Sequence, residues 1–323
     1  MGLPVTIYRS TDPGSPLNKG PVPLKPSDWL PVFQKCLVDG YGTKAGLGWT
    51  LEYGSVAELK MVFRNSIADG GSGGAVQIQS HQGTDTTSSG LRYTCANGIG
   101  GFDAFDRRVG SLFTLSESNG WYIRAWTLIG TSRGFWFIIE ANGNSAAVMN
   151  TNCYQYTACF FIGDIDSFIP NDSGVFTCVS SGYGHSDPMV DTGTSRERAM
   201  ILGSPNGTAA NATLYEATGG SLYATYSTRN GGYNSQSTGA TLPDPQSAGV
   251  PIDLMPEVLV GGNGSVTLPR IRGVVPGLYT TSYIGWANET LPIIRNYDGI
   301  DYYLNSGYYI PRAFIQASGE WYV

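Results

Sequence analysis

Residues 121–143 read WYIRAWTLIGTSRGFWFIIEANG. Two aromatic-rich runs, 122–129 and 135–139, flank Gly130-Thr131-Ser132-Arg133-Gly134, a loop of hairpin length. The stretch predicts an antiparallel β-hairpin, and the segments around it point to the same class of structure.

Upstream, short apolar or alternating runs at 5–8, 60–63, 75–78 and 112–115 predict strands separated by Gly-rich turns, with Asp12-Pro13-Gly14 turning the chain after the first. Downstream, strands are expected at 158–162, 175–179, 199–202, 222–226, 257–260, 265–268, 300–304 and 313–315. Helical spacing is sustained in SDWLPVFQKCLVDG, where Trp29, Leu30, Val32, Phe33, Cys36 and Leu37 recur on one face. There Asp28 is expected to cap the helix, Pro31 to fall in its first turn and Gly40 to end it. No internal repeat is evident, which disfavours solenoids and propellers. The expected fold is mainly β, with antiparallel sheets in a sandwich or barrel-like arrangement and one short N-terminal helix.

A polar stretch rich in Gly, Ser and Pro spans residues 228–251 and exceeds ordinary loop length. It is either an exposed loop, an interface arm or a boundary. A main β domain is therefore expected over 1–250, with 251–323 a C-terminal β segment or small lobe packed on it.

Of the 323 residues, 41% are hydrophobic and only 14% charged, against roughly 25% charged in an ordinary soluble domain. Polar surface must come instead from Ser, Thr, Asn, Gln, Gly and Tyr. These lose little when another protein covers them, as suits a chain that works inside an assembly. The net charge of −6, with no run of Lys and Arg, argues against nucleic acid as a partner. No stretch approaches the ~18 apolar residues of a membrane helix, and no basic-then-apolar leader is visible, so folding in a cytosol is expected. The five cysteines Cys36, Cys95, Cys153, Cys159 and Cys178 have no metal-ligand spacing with the two histidines, His81 and His185. They read as buried reduced thiols, and neither metal nor cofactor is expected. Sequons at Asn171, Asn206, Asn211, Asn263 and Asn288 are what chance produces in so Asn- and Ser-rich a chain.

Four motifs invite a chemical reading. Asp164 and Asp166, at i and i+2 in Gly163-Asp164-Ile165-Asp166, could serve calcium or glycoside chemistry, but fit a polar turn closing a strand better. His185-Ser186-Asp187 holds the residue types of a hydrolase triad, yet adjacent residues cannot supply triad geometry. Gly70-Gly71-Ser72-Gly73-Gly74 spells a nucleophile elbow but precedes the strand-like AVQIQS rather than a helix, so a turn is expected. Seven Trp and 20 Tyr could build a sugar-stacking platform, although many sit in strand-like runs as core residues do. No catalytic residues are assigned, and an enzyme is not expected.

Tyr8-Arg9-Ser10-Thr11-Asp12, followed by Cys36-Leu37-Val38, Gly40-Tyr41-Gly42 and Gly48-Trp49-Thr50, resembles the opening of a family of phage and prophage virion proteins from the tail gene region. CFFIGDIDSF at 159–168, LPRIRGVVPGLY at 268–279 and the final AFIQASGEWYV look like later segments of the same family. The resemblance implies a bacteriophage virion structural protein of the tail, tail tip or baseplate, assembled in the host cytoplasm. It would act through contacts with other virion proteins, in symmetric homo-oligomeric copies. A carbohydrate-binding module recognising a host-surface glycan is the alternative. Arg270, Arg272, Pro276 and Tyr279 are the candidate contact residues, since Arg and Tyr are favoured at interfaces. A strand and type II turn of the protein's own sheet is the other reading of that segment. As a contact, replacing Arg270 and Arg272 should leave the isolated fold intact.

Overall fold

The computed structural model describes residues 2–17, 24–113, 122–142, 157–180, 211–215, 223–229, 254–261, 271–280, 293–304 and 313–323. Two short strands, β1 (Leu3–Pro4) and β2 (Thr6–Arg9), precede helix α1 (Pro26–Gln34), which ends in a π-helical turn, Lys35–Asp39. Strands β3 (Thr50–Ser55), β4 (Lys60–Arg64), β5 (Ala75–Ser80), β6 (Leu91–Ile99) and β7 (Phe105–Phe113) form a five-stranded antiparallel sheet in chain order. The remaining strands are β8 (Tyr122–Gly130), β9 (Gly134–Asn142), β10 (Thr157–Asp164), β11 (Asp166–Ser167), β12 (Phe176–Ser180), β13 (Asn211–Tyr215), β14 (Tyr223–Arg229), β15 (Met255–Gly261), β16 (Ile271–Thr280), β17 (Ile293–Tyr297), β18 (Ile300–Leu304), β19 (Ala313–Gln316) and β20 (Glu320–Trp321). All of these except β20, together with β2, build a second, larger antiparallel sheet, while β20 pairs with β1.

The hairpin is β8 and β9, paired from Tyr122↔Asn142 to Gly130↔Phe135. Side chains alternate across it. Trp126, Leu128, Phe135 and Phe137 face the small sheet and the helix, whereas Ile129, Trp136 and Ile138 face the C-terminal strands. Strand β10 continues the pattern, with Phe160 and Ile162 on the first face and Cys159 and Phe161 on the second. The β3–β7 sheet therefore packs as a sandwich on one side of β8–β10, with α1 contributing Trp29, Leu30 and Phe33 and the π-helical turn Leu37 to that core.

On the other side the large sheet closes on itself. From β10 the ladder passes through β12, β13, β14, β15 and β16, and β16 then pairs with β11, which follows β10 after the single residue Ile165. The inward side chains of this ring include Phe161, Val179, Leu214, Leu259 and Val275. Hydrogen bonding runs without a break across position 250, because β14 pairs with β15. Residues from 251 onward thus supply strands to the same sheet.

Two local expectations are corrected. Asp28 does not cap the helix: Pro26 takes the first helical position, where its fixed φ suits it. Asp28 instead reaches back to accept the Lys25 N–H at 2.9 Å, leaving Pro31 well inside the helix. The helix start is also closed by Asp85, which accepts from the Ser27 N–H and hydroxyl at 2.9 and 2.8 Å. Pro276-Gly277 does not reverse the chain but lies within β16, where the register slips between Pro256↔Tyr279 and Val258↔Val274. Gly277 has φ +72°, and a Cβ there would sit 2.5 Å from the Trp321 ring, so the bulge exists where the backbone passes that indole. Asn97 and Gly98 lie within β6, where Gly98 pairs with Asp106. The strands expected at 199–202 and 265–268, and most of 228–251, fall outside the described residues.

Phe137 is fully buried between Phe33 (ring centroids 4.7 Å), Phe160 (5.7 Å), Trp29 (6.1 Å) and Trp126 (6.5 Å). Phe137→Ala is expected to lower unfolding free energy by about 3–5 kcal/mol through lost transfer energy and a cavity, read from the shift in urea midpoint.

Candidate functional site

The candidate contact residues separate in space. Arg270 lies outside the described residues. Arg272 is not at a surface: its side chain is fully buried and forms a two-pronged ion pair with Asp172, Nε to Oδ2 at 2.6 Å and Nη2 to Oδ1 at 2.7 Å. Nη2 also donates to the Tyr215 carbonyl at 2.6 Å, and Asp172 accepts further from the Ser167 hydroxyl (2.7 Å) and the Gly174 N–H (2.9 Å). This arginine ties β16, the loop after β11 and β13 together inside the protein, and the expectation that it can be removed without harm to the fold is corrected accordingly. Pro276 is buried and Tyr279 half-buried. The Pro276 carbonyl accepts the buried Trp136 Nε1–H at 2.8 Å, and Tyr279 packs edge-on against Tyr302 at 5.6 Å.

Pro276 and Tyr279 help to line a groove of about 140 Å³, together with Asp166, Pro256, Gln316 and Glu320. That is below the ~300–1,000 Å³ of pockets that enclose small molecules, and matches a protruding side chain better than a metabolite. Its lining combines the carboxylates Asp166 and Glu320 with proline and aromatic side chains. Burial raises the Asp166 carboxyl above the usual carboxylate range, with the Arg133 charge opposing. The groove can accept hydrogen bonds from N–H groups or a cation.

Two motifs singled out separately in the sequence meet. The Ser72 N–H and hydroxyl donate to the two oxygens of Asp164 at 2.8 and 2.5 Å, joining the β4–β5 loop to the end of β10. Arg133, in the β8–β9 loop, places Nε 3.5 Å from the same carboxylate and stacks its guanidinium 4.0 Å over the Tyr322 ring. Tyr322 in turn donates its hydroxyl to the Asp164 carbonyl at 2.6 Å. Asp164 is fully buried, and burial raises its pKa despite the Ser72 and Arg133 contacts. Asp164 and Asp166 do not form a pair, because the first is locked into this node while the second borders the groove. Sequence reading found Ser72 and Asp164 but not their union, which spans a separation of 92 residues.

The N-terminal motifs converge as well. Asp12 Oδ2 accepts from the Arg9 N–H (2.7 Å), the Tyr41 hydroxyl (3.0 Å) and Lys44 Nζ (2.6 Å), and Lys44 also reaches the Ile7 carbonyl at 2.7 Å. Burial alone would raise the Asp12 carboxyl, but the Lys44 bond and the others hold it below the usual range. Tyr8 donates to the Ala45 carbonyl, and Trp49 Nε1 to the Thr131 carbonyl at 3.1 Å. Side chains thereby occupy backbone groups along β2, the last strand at one end of the large sheet.

Trp29, Trp49, Trp126, Trp136 and Trp321 are all buried, so these five of the seven tryptophans form no sugar platform. His185-Ser186-Asp187 lies outside the described residues. Among the described residues no group of three or more His, Cys, Asp or Glu is placed to hold a metal, and no helix is long and apolar enough to cross a membrane. The chain matches no protein-family model and no curated protein.

Breaking the buried pair leaves one charge unmatched, so Arg272→Ala or Asp172→Asn is expected to cost about 3–5 kcal/mol. Burial pushes the Asp172 carboxyl up, but Arg272, then Ser167 and Gly174, more than offset it and hold its pKa below the usual range. A carboxyl depressed on folding stabilises fully above its unfolded value near ~3.9 and loses that contribution as pH falls through the folded value. The melting-temperature gap between wild type and Asp172→Asn should therefore be widest above pH ~4 and narrow below it.

Proposed function

We propose that this chain is a structural, non-enzymatic component of a bacteriophage virion, of the tail, its tip or its baseplate, acting through protein–protein contacts in symmetric copies. The observation that carries the reading is the use made of the residues that resemble such proteins. Tyr8, Asp12, Tyr41, Trp49 and Trp321 are spent on holding sheets and loops together, while Pro276 and Tyr279 border an open groove of side-chain size. Low charge and a surface of neutral polar groups support it, because such groups are covered by a neighbour at little desolvation cost. Gold-labelled antibody against the chain should decorate purified particles of the encoding phage at the tail. Its absence from purified particles, or label confined to the head, would overturn the assignment.

A second reading has one observation in its favour. Tyr53 and Phe102 are 37% and 39% exposed with ring centroids 6.2 Å apart, beside Asp103, whose carboxylate accepts from Lys60 and Gln77 at 2.8 and 2.7 Å. Aromatic faces beside a carboxylate suit a sugar ring. If this patch binds host-surface glycan, calorimetric titration with host polysaccharide should give saturable heat that Tyr53→Ala abolishes. A flat titration would leave the contact role alone.

A further inference from the structure

Six side chains with polar groups line the groove beside β16, and three of them are already committed. Gln316 donates to the Ser318 and Glu320 carbonyls at 2.9 and 3.1 Å and accepts from the Tyr279 hydroxyl at 3.3 Å, while Tyr322 donates to the Asp164 carbonyl. Asp166, Glu320 and Trp321 are left over. Among the described residues no hydrogen bond reaches the carboxylate of Asp166 or Glu320. The Trp321 ring is 2% exposed, and its buried Nε1–H has no partner among the described residues either. Such a donor has given up water and gained nothing in return, so it calls for an acceptor from outside.

We propose that the groove receives the primary carboxamide of a glutamine or asparagine side chain from a neighbouring virion subunit, its oxygen accepting from Trp321 Nε1 and its amino group donating to Asp166 or Glu320. This deepens the contact role proposed above and rests on it for the source of the carboxamide. Gly277, which also lines the groove, lies against the same edge of the indole: a Cβ there would stand 2.6 Å from Nε1. Nε1 itself is closed to water, so the acceptor must reach it past Gly277, where the bulge and the missing side chain let the backbone give.

Chemistry narrows the choice of occupant. Lysine and arginine side chains could meet the carboxylates but have no acceptor for the indole, whereas aspartate or glutamate would be repelled by Asp166 and Glu320. A carboxamide carries an acceptor and two donors in one planar group and answers both needs at once. Its methylenes would lie against Pro256, Pro276 and Tyr279, and a groove of about 140 Å³ has room for one such side chain.

The test titrates the full chain, labelled with nitrogen-15 at tryptophan, with Nα-acetyl-glutamine methylamide. The norleucine and lysine analogues and glucose serve as comparison ligands. The indole resonance that disappears in Trp321→Phe should move downfield and saturate with the glutamine compound, and stay in place with the other three. Glu320→Ala, at an exposed position, should keep the melting temperature and weaken binding about tenfold, as expected for one lost hydrogen bond to a charged group. Should Trp321→Phe fail to fold, the resonance whose shift weakens in Glu320→Ala identifies the site. The proposal is overturned if no indole resonance moves, if norleucine or lysine moves it equally, if glucose binds in place of glutamine, or if Glu320→Ala binds as wild type. Antibody labelling of particles decides the virion reading and this titration decides the site, so the two fail separately.

Discussion

Strands β8, β9 and β10 have water on neither face, and the rest of the molecule follows from that. Trp126, Leu128, Phe135, Phe137, Phe160 and Ile162 project to one side, and Ile129, Trp136, Ile138, Cys159 and Phe161 to the other. Each set needs its own cover. The helix and the β3–β7 sheet supply one layer, and the ring closed by β11 and β16 with the C-terminal strands supplies the second. Burial on both sides leaves the backbone of these strands no solvent partner, so their polar groups must be satisfied by neighbouring strands. Three indole N–H groups obey the same rule, Trp49, Trp126 and Trp136 each finding a backbone carbonyl at 2.8–3.2 Å, whereas the buried Trp321 Nε1 has no hydrogen-bond partner among the described residues.

Scarce charge makes each buried ionic group informative, and the two buried aspartates show how geometry decides the outcome. Asp172 and Asp164 are both almost wholly removed from solvent. Asp172 meets a guanidinium fork at 2.6 and 2.7 Å plus two further donors, and stays easier to ionise than a free carboxyl. Asp164 has two bonds from Ser72, but its arginine stands 3.5 Å away and is shared with the Tyr322 ring, and desolvation wins. At short range in a poorly polarisable interior, about an ångström and the loss of one prong are enough to reverse the sign. Asp172 thus strengthens the ring above acidic pH, whereas at Asp164 burial outweighs the Ser72 and Arg133 contacts that favour its ionised form.

What was legible in the sequence is what depends on local pattern. The aromatic runs of β8 and β9 announced their hairpin, Gly40 announced the helix end with φ +80°, and the mainly β class followed from the strand count. Strand β6 went unread because Asn97-Gly98 looks like a turn, and β3 because Gly54 at φ +94° and a bulge between Leu51 and Tyr53 break its alternation. Pro276-Gly277 misled for a different reason. Those residues favour a turn in isolation, and it is the Trp321 ring, 44 positions later, that makes a bulge of them. Arg272 was read as a contact because arginine is scarce here and favoured at interfaces. Its partner Asp172 stands 100 residues away, beyond the reach of any local signal.

The same distinction bears on what a resemblance in short motifs can transmit. Tyr8, Asp12, Tyr41 and Trp49 look like signature residues in the sequence, and in the structure each has a tertiary reason to be the residue it is: Asp12 gathers three donors, and Trp49 closes on the hairpin loop through Thr131. Residues of that kind can carry a fold from one protein to another without carrying a reaction, so a likeness in them transmits no chemistry. Function must then be sought where side chains are not consumed by the scaffold. At the groove, Asp166 and Glu320 offer acceptors beside Pro256, Pro276 and Tyr279, and an apolar side chain flanked by N–H groups or a cation has the complementary chemistry. A contact built this way draws its specificity from shape and hydrogen bonding, which is what a chain with so few charges has to offer.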